Sequence, residues 1–423
     1  MTFGLPKVSR WLAADARLIG GERVDLLVDE GRIAALAPAG AQDFADTPRL
    51  PLAGRMVLPC FVDSHTHLDK GHIWRRAPNP TGTFPDALQS VKADREAYWS
   101  AADVAARMEF ALRAAYAYGT RAIRTHLDSV GPQSRISFPI FAQVRARWKD
   151  RIELQASPLF GVDTIFEPGH LETITEMVAA YGSKLIGAVT YMIPQLHEAL
   201  AAMFDLAERK DWSLDFHVDE TADPEARSLE VIADMAIERR FSGQILVGHC
   251  CSLARQDDDG LKRIVEKVAR AGINVVSLPM CNMFLQDRQS GRTPRWRGVT
   301  ALHELKAAGV EVMIASDNTR DPFYAYGDLD MLEVWREGVR ILHLDYPHGA
   351  WADTVGAAPA RALRVAPPVL AVGEPADFIL TPARDVSELL SRPHSERVVV
   401  RNGMAIKAEA PPYSDLDALE GLA

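Results

Sequence analysis

Within the stretch Met56–His72 (MVLPCFVDSHTHLDKGH), an apolar run ends in two histidines separated by one residue, His65-Thr66-His67. Side chains on a strand alternate between faces, so imidazoles at i and i+2 point the same way. Two of them at a strand end can grip one metal ion, provided that further ligands arrive from elsewhere in the chain. Polar residues do recur at the ends of later apolar runs: His126 and Asp128, His217 with Glu220, His249, and Asp317.

Those runs are the elements that must position the polar residues. Strand-like stretches at 56–67, 122–128, 152–160, 185–192, 214–220, 245–250, 273–279 and 312–317 alternate with segments of helical spacing, such as 103–118 and 259–271. Continuous apolar strands suit a parallel sheet buried on both sides, and the alternation predicts an α/β fold, a (β/α)8 TIM barrel. In that architecture active-site groups come from the C-terminal ends of strands, which is where the histidines and carboxylates fall. Short alternating runs broken by glycine between 8 and 55 return at 376–380 and 397–403, the latter with an Asn402-Gly403 turn. The two chain ends are therefore expected to form one small β-sandwich domain, residues 1–55 plus 370–423, beside a barrel spanning 56–369.

Bulk properties narrow the partners. Of the 423 residues 48% are hydrophobic and 25% charged, which suits a soluble protein with a large core. A net charge of −10 argues against nucleic acid or an anionic membrane as the main partner and points to a small molecule. The N-terminal sequence lacks the apolar core of a signal peptide, and no run of about 18 apolar residues occurs, so a cytoplasmic protein is expected. A homo-oligomer is expected as well. Cys60, Cys250, Cys251 and Cys281 have no metal-site spacing and read as reduced thiols.

The pattern resembles the amidohydrolase superfamily, specifically its cytosine deaminase branch. The matching residues are His65-x-His67, His217-Val218-Asp219-Glu220, Gly248-His249 and Ser316-Asp317-Asn318. Further matches are Arg124-Thr125-His126, Asn282-x-x-Leu285-Gln286, Arg297-Gly298-Val299-Thr300 and Asp321-Pro322-Phe323-Tyr324. The resemblance implies that His65, His67, His217 and Asp317 hold one divalent metal, Zn²⁺ or Fe²⁺. Some members bind a second ion through a carbamylated lysine at the end of the fourth strand. Here that end reads Val189-Thr190-Tyr191-Met192 and the nearest lysine, Lys184, precedes the strand, so a single ion is expected. Asp317 would take a proton from the attacking water, His249 would hydrogen-bond the reacting oxygen, and Glu220 would protonate a ring nitrogen and then the departing ammonia. His126 and Asp128 read as groups that orient ligands or face the substrate.

Substrate contacts are expected from the loops. Cytosine deaminases place a glutamine after the third strand to read the pyrimidine's amide edge, whereas this chain has Leu159, which argues against cytosine itself. Asn318 replaces an acidic residue common in that branch. Arg320, in a stretch resembling relatives that act on substituted triazines, could meet a substrate carbonyl or carboxylate, or form an ion pair with Asp321 or Asp328. Trp74, Phe160, Tyr191 and Phe323 could sandwich a ring, and Gln195 or Gln286 could supply the lost amide contact. The expected function is metal-dependent hydrolytic deamination of an exocyclic amino group on an N-heterocycle, cytosine-like or pterin-like, releasing ammonia. The alternative is hydrolysis of an N-alkylamine on a triazine-type ring or of a cyclic amide. A non-catalytic binding barrel is disfavoured because the four ligands, Glu220 and His249 are all present.

Overall fold

Strands with few polar breaks are stable only when both faces are covered. In the computed structural model, which describes residues 4–347, 349–393 and 396–421, they form a closed parallel barrel. Strands β1 (Trp11–Arg17), β2 (Arg23–Asp29), β3 (Arg32–Pro38) and β4 (Arg49–Pro51) precede it as one sheet, ordered β3-β2-β1-β4. Next come β5 (Val57–Pro59) and the first barrel strand, β6 (Phe61–Thr66). The barrel continues through β7 (Thr120–Asp128), β8 (Glu153–Leu159), a fourth strand in two pieces, β9 (Leu185–Ile186) and β10 (Val189–Thr190), and then β11 (Ser213–Val218). It is completed by β12 (Ile245–His249), β13 (Asn274–Ser277) and β14 (Val312–Ile314). Beyond it lie β15 (Phe378–Leu380), β16 (Val398–Arg401) and β17 (Met404–Ala405).

Single parallel bridges complete the ring: Gly161 with Val189 joins the third strand to the fourth, and Thr66 with Asp317 brings the end of the eighth onto the first. The fourth strand, expected as one run over 185–192, is interrupted at Gly187. A Cβ there would lie 1.7 Å from the Asp215 carbonyl oxygen, so the backbones approach too closely for any side chain. The first expected run, 56–67, is divided at Cys60. Its leading part, β5, pairs antiparallel with β15, and only β6 enters the barrel.

Helices between strands cover the outside. Helix Ala101–Ala117 starts where the Ser100 side chain accepts from the Asp103 amide, and Asp257 caps Asp258–Arg270 in the same way. Two further helices, Phe84–Tyr98 after β6 and Pro279–Leu285 after β13, both contribute residues that line the cavity at the strands' C-terminal ends. Beside the barrel, Trp11, Leu26, Val28, Ile33, Val57, Phe378, Leu380 and Val400 share one buried cluster drawn from both chain ends. The Trp11 indole N–H donates to the Gly403 carbonyl at 3.0 Å across it. Among the described residues no helix is long and apolar enough to cross a membrane.

Candidate active site

His65 lies on β6, His67 just beyond it, His217 on β11, and Asp317 three residues after β14. All four are buried, and their donor atoms converge. Nε2 of His65 is 3.0 Å from Nε2 of His217, and Nε2 of His67 is 3.1 Å from Asp317 Oδ1. The cross distances are 3.4 Å between His217 and His67 and 3.6 Å between His65 and Asp317 Oδ1. A tetrahedral ion with arms of about 2.0–2.1 Å needs ligand atoms about 3.3 Å apart, so the spacing suits one such ion. Burial first, then neighbouring imidazoles, with Lys70 adding at His67 and His217, hold His65, His67 and His217 well below the ordinary imidazole range; they are the neutral rings that a cation requires. Burial pushes the Asp317 carboxyl up to about 7, with His249 opposing and Glu220 adding to the shift. Asp317 Oδ2 is buried without a hydrogen-bond partner among the described residues.

The barrel's closing seam holds this group in register. The Asp317 amide donates to the His65 carbonyl at 2.8 Å, and the Thr66 hydroxyl donates to the Asp317 carbonyl at 2.8 Å. Asp63, two residues before His65, accepts from the Ser316 amide and hydroxyl, clasping the strand end that carries Asp317. Asp317 and His249 both adopt left-handed backbone, at φ 60° and 69°, a conformation that costs non-glycine residues about 1–3 kcal/mol and concentrates at functional sites.

His249 ends β12, and Glu220 follows β11. The Asn282 side chain, from helix Pro279–Leu285, joins them: its Nδ2 donates to Glu220 Oε1 at 3.1 Å and lies 2.9 Å from His249 Nδ1. Burial opposes a charge on His249, but Glu220 at 3.4 Å outweighs it and holds the ring above the ordinary imidazole range; in its neutral form the nearer Asn282 amide hydrogen favours an unprotonated Nδ1. The neutral ring then carries its proton on Nε2, which is buried and has no hydrogen-bond partner among the described residues. Gln286 donates to the Glu220 carbonyl at 3.2 Å, and Asp219 anchors the same loop by capping helix Ser228–Arg239 at Ser228 and Leu229.

A cavity of about 760 Å³ opens above the group. Of the residues expected to meet substrate, Leu159, Tyr191 and Asn318 line it, as do Phe160, Phe323 and Gln286. Trp74, Gln195 and Arg320 do not. Arg320 turns its guanidinium over the Tyr413 ring at 4.2 Å, toward the C-terminal segment. Trp74 follows it through a backbone bond to the Arg320 carbonyl, and Gln195 is exposed at the start of helix Leu196–Lys210. Asn318 lines the wall but gives its amide N–H to Asp321 at 2.7 Å. His126 also lies close enough to join His65, His67 and His217 around an ion, but its Nε2 is held at 2.9 Å by Asp215, which also binds Arg124, and only its Nδ1 is left without a partner among the described residues. Asp128 lines the cavity, with Arg95 on its Oδ2 at 2.8 Å.

The sequence reading missed Lys70. It lies three residues beyond His67, is buried, and faces the cavity with Asp128 Oδ1 at 3.6 Å. Burial opposes its charge, but Asp128, Asp321, Asp69 and Asp317 surround it and hold it above the ordinary lysine range. A lysine next to aspartate in a loop carries no distinguishing periodicity; only its place directly after the His-x-His pair marks it. Asp63, Asp215 and Asn282 were given no role either, although each lies in a stretch the sequence had marked: Asp63 in 56–72, Asp215 in the run 214–220 and Asn282 in Asn282-x-x-Leu285-Gln286.

Comparison with known proteins agrees with this geometry. A profile described as "Amidohydrolase family" matches residues 170–411. A pterin deaminase from Rhizobium rhizogenes is 52% identical over 401 residues, covering 94% of this chain and 91% of that protein. N-isopropylammelide isopropyl amidohydrolase from Pseudomonas sp. (strain ADP) is 24% identical, over 66% of this chain and 67% of its own. Among solved structures, 5-methylcytosine deaminase from Klebsiella pneumoniae liganded with 5-fluorocytosine superposes with a TM-score of 0.84 at 26% identity, covering 95% of this chain and 97% of the other.

Proposed function

This chain belongs to the amidohydrolase family, and from that premise we propose that it is a metal-dependent aminohydrolase that releases ammonia from an exocyclic amino group on an N-heterocycle, with a pterin as the preferred class. The observation that carries this reading is the placement of Glu220 and His249, joined by Asn282, beside the converging atoms of His65, His67, His217 and Asp317.

In this reading those four residues would hold one divalent ion, zinc or iron, which would supply the Lewis acidity that makes water nucleophilic near neutral pH. Asp317 accepts a proton from the attacking water at Oδ2, the oxygen without another partner. The Nε2 proton of His249 hydrogen-bonds the oxygen that adds to the ring carbon. Glu220 protonates the ring nitrogen beside that carbon, regains a proton from the adduct's hydroxyl as the carbonyl forms and passes it to the leaving amine, after which the proton held by Asp317 restores the acid; the Asn282 and Gln286 contacts hold Glu220 in place. Ring size is supported by the cavity of about 760 Å³, and the pterin class by the 52% identical relative that carries that name. We also read the two sheets sharing the Trp11–Phe378 core as one β-sandwich domain, residues 1–55 and 370–423, with β5 as its strand at the barrel boundary.

The test is ammonia release from pterin, cytosine, isoguanine, creatinine and an N-isopropylaminotriazine by protein of known metal content. Ammonia from pterin is the expected result. Free isopropylamine from the triazine with no ammonia from any amino ring would replace this reading with alkylamine hydrolysis, the activity named for the 24% identical relative. Two equivalents of bound metal would overturn the single-ion assignment.

A further inference from the structure

Leu159 leaves the third strand without a group to read an amide edge, yet the neighbouring strand end supplies a donor and an acceptor of its own. Asp128 is paired in register with Leu159 across β7 and β8. Its Oδ2 is taken by Arg95, while no hydrogen bond reaches its Oδ1 among the described residues. Lys70 Nζ sits 3.6 Å from that Oδ1, too far for a hydrogen bond, and has no hydrogen-bond acceptor among the described residues. Both side chains are more than nine-tenths buried and both line the cavity. The surrounding carboxylates and the Phe323 ring, its centroid 4.8 Å from Nζ, stabilise the Lys70 charge without accepting its hydrogens, so a buried donor and a neighbouring carboxylate oxygen with unused lone pairs are both left for a ligand to complete.

We propose that Lys70 Nζ and Asp128 Oδ1 read the lactam edge of the substrate, Lys70 donating to a ring carbonyl oxygen and Asp128 accepting from the ring N–H beside it. This rests on the deaminase reading above and names the ring it selects: an amino heterocycle that carries an oxo group next to a protonated ring nitrogen. The chemistry separates this class from an anionic substituent, because a carboxylate brought to Lys70 would also meet Asp128 and be repelled. It also fits the layout of the barrel. Lys70 follows the first strand, Asp128 ends the second and Glu220 follows the fifth, so strand order puts the two sets on opposite sides of the ring of strands, where they can address opposite edges of one bound heterocycle. The rear of the pair is fixed: Arg95 holds Asp128, and the Asp128 amide donates to Asp69 at 3.0 Å.

The test compares pterin with 2-aminopteridine, the same ring without the oxo group, on zinc-loaded wild type, Lys70→Met and Asp128→Asn. Lys70→Met should lower kcat/KM for pterin about 10- to 100-fold more than for 2-aminopteridine, the span of a hydrogen bond to a charged group. Asp128→Asn, with its oxygen kept by Arg95, presents N–H to the ring N–H and should show the same selective loss. A binding arm is independent of turnover and of how the variants fold: by calorimetry the wild type should bind 4-oxopteridine, which has no amino group to lose, about 10- to 100-fold more tightly than pteridine. Equal losses for both amino rings, or equal binding of the two probes, would overturn the lactam reader while leaving deamination intact. Selective binding of 4-oxopteridine without ammonia from any ring would instead overturn the deaminase reading and keep the subsite.

Discussion

Glu220 is held from two sides, by Asn282 on its carboxylate and Gln286 on its carbonyl, and none of these contacts involves the four candidate metal ligands. Glu220→Gln should therefore keep its metal in elemental analysis while kcat falls about 10²- to 10⁴-fold, the usual contribution of a positioned acid–base group; near-normal turnover would remove Glu220 from the reaction. That polar groups gather at the strand ends was legible in the sequence, because such groups at the ends of otherwise apolar runs have few other reasons to be there; the choice of His65, His67, His217 and Asp317 as candidate ligands came from the family resemblance. The roles of Lys70 and Asn282 were not legible, since their spacing is that of any loop or short helix. Arg320, read as either a substrate contact or a structural ion pair, stands beside the site in sequence, but a left-handed backbone at φ 48° and the Tyr413 ring place its guanidinium away from the cavity. Side-chain direction in a loop is a tertiary property.

At the scale of elements, eight strands could be read from apolar runs, but the pause in the fourth could not, because the close approach of the Asp215 carbonyl to Gly187 comes from another strand. Gly187→Ala should cost at least the 1–3 kcal/mol or so of an overpacked core, read as a lower midpoint in urea unfolding. Helix Phe84–Tyr98 also escaped, since the face that carries Leu88, Val91, Lys92 and Arg95 looks into a cavity rather than a core. Helix Met331–Leu342 yields a pH prediction. Burial, with Asp330 and Glu337 adding and Arg336 opposing, raises Glu333 from 4.5 to about 7. The folded chain thus holds this proton more tightly than the unfolded chain, and stability is lost as pH rises from about 4.5 to about 7. Glu333→Gln should gain on the order of 1–2 kcal/mol over wild type at pH 8, after discounting for solvent and for its favourable place at a helix start, and nothing at pH 4. Urea titrations at the two pH values check this; an equal effect at both would refute it.

For the whole molecule, alternation along the chain was enough to predict a barrel flanked by strands from both ends. What it could not reveal was that β5, continuous with the first barrel strand, belongs to the other sheet, because its partner β15 is far away in sequence. The same distance governs the site. Thr66 and Asp317, whose bridge closes the ring, are 251 residues apart, and His67 and Asp317 are 250 apart. Contacts of such high sequence separation carry a large loop-closure entropy and form late. Refolding at a limiting concentration of zinc should show far-UV ellipticity recovering first and ion capture following in a slower phase. Capture as fast as helix formation would mean that the ligands meet before the ring closes. The seam between first and last strands thus makes the ion a reporter of the final step of assembly, and an incompletely folded chain has no complete site in which to hold it.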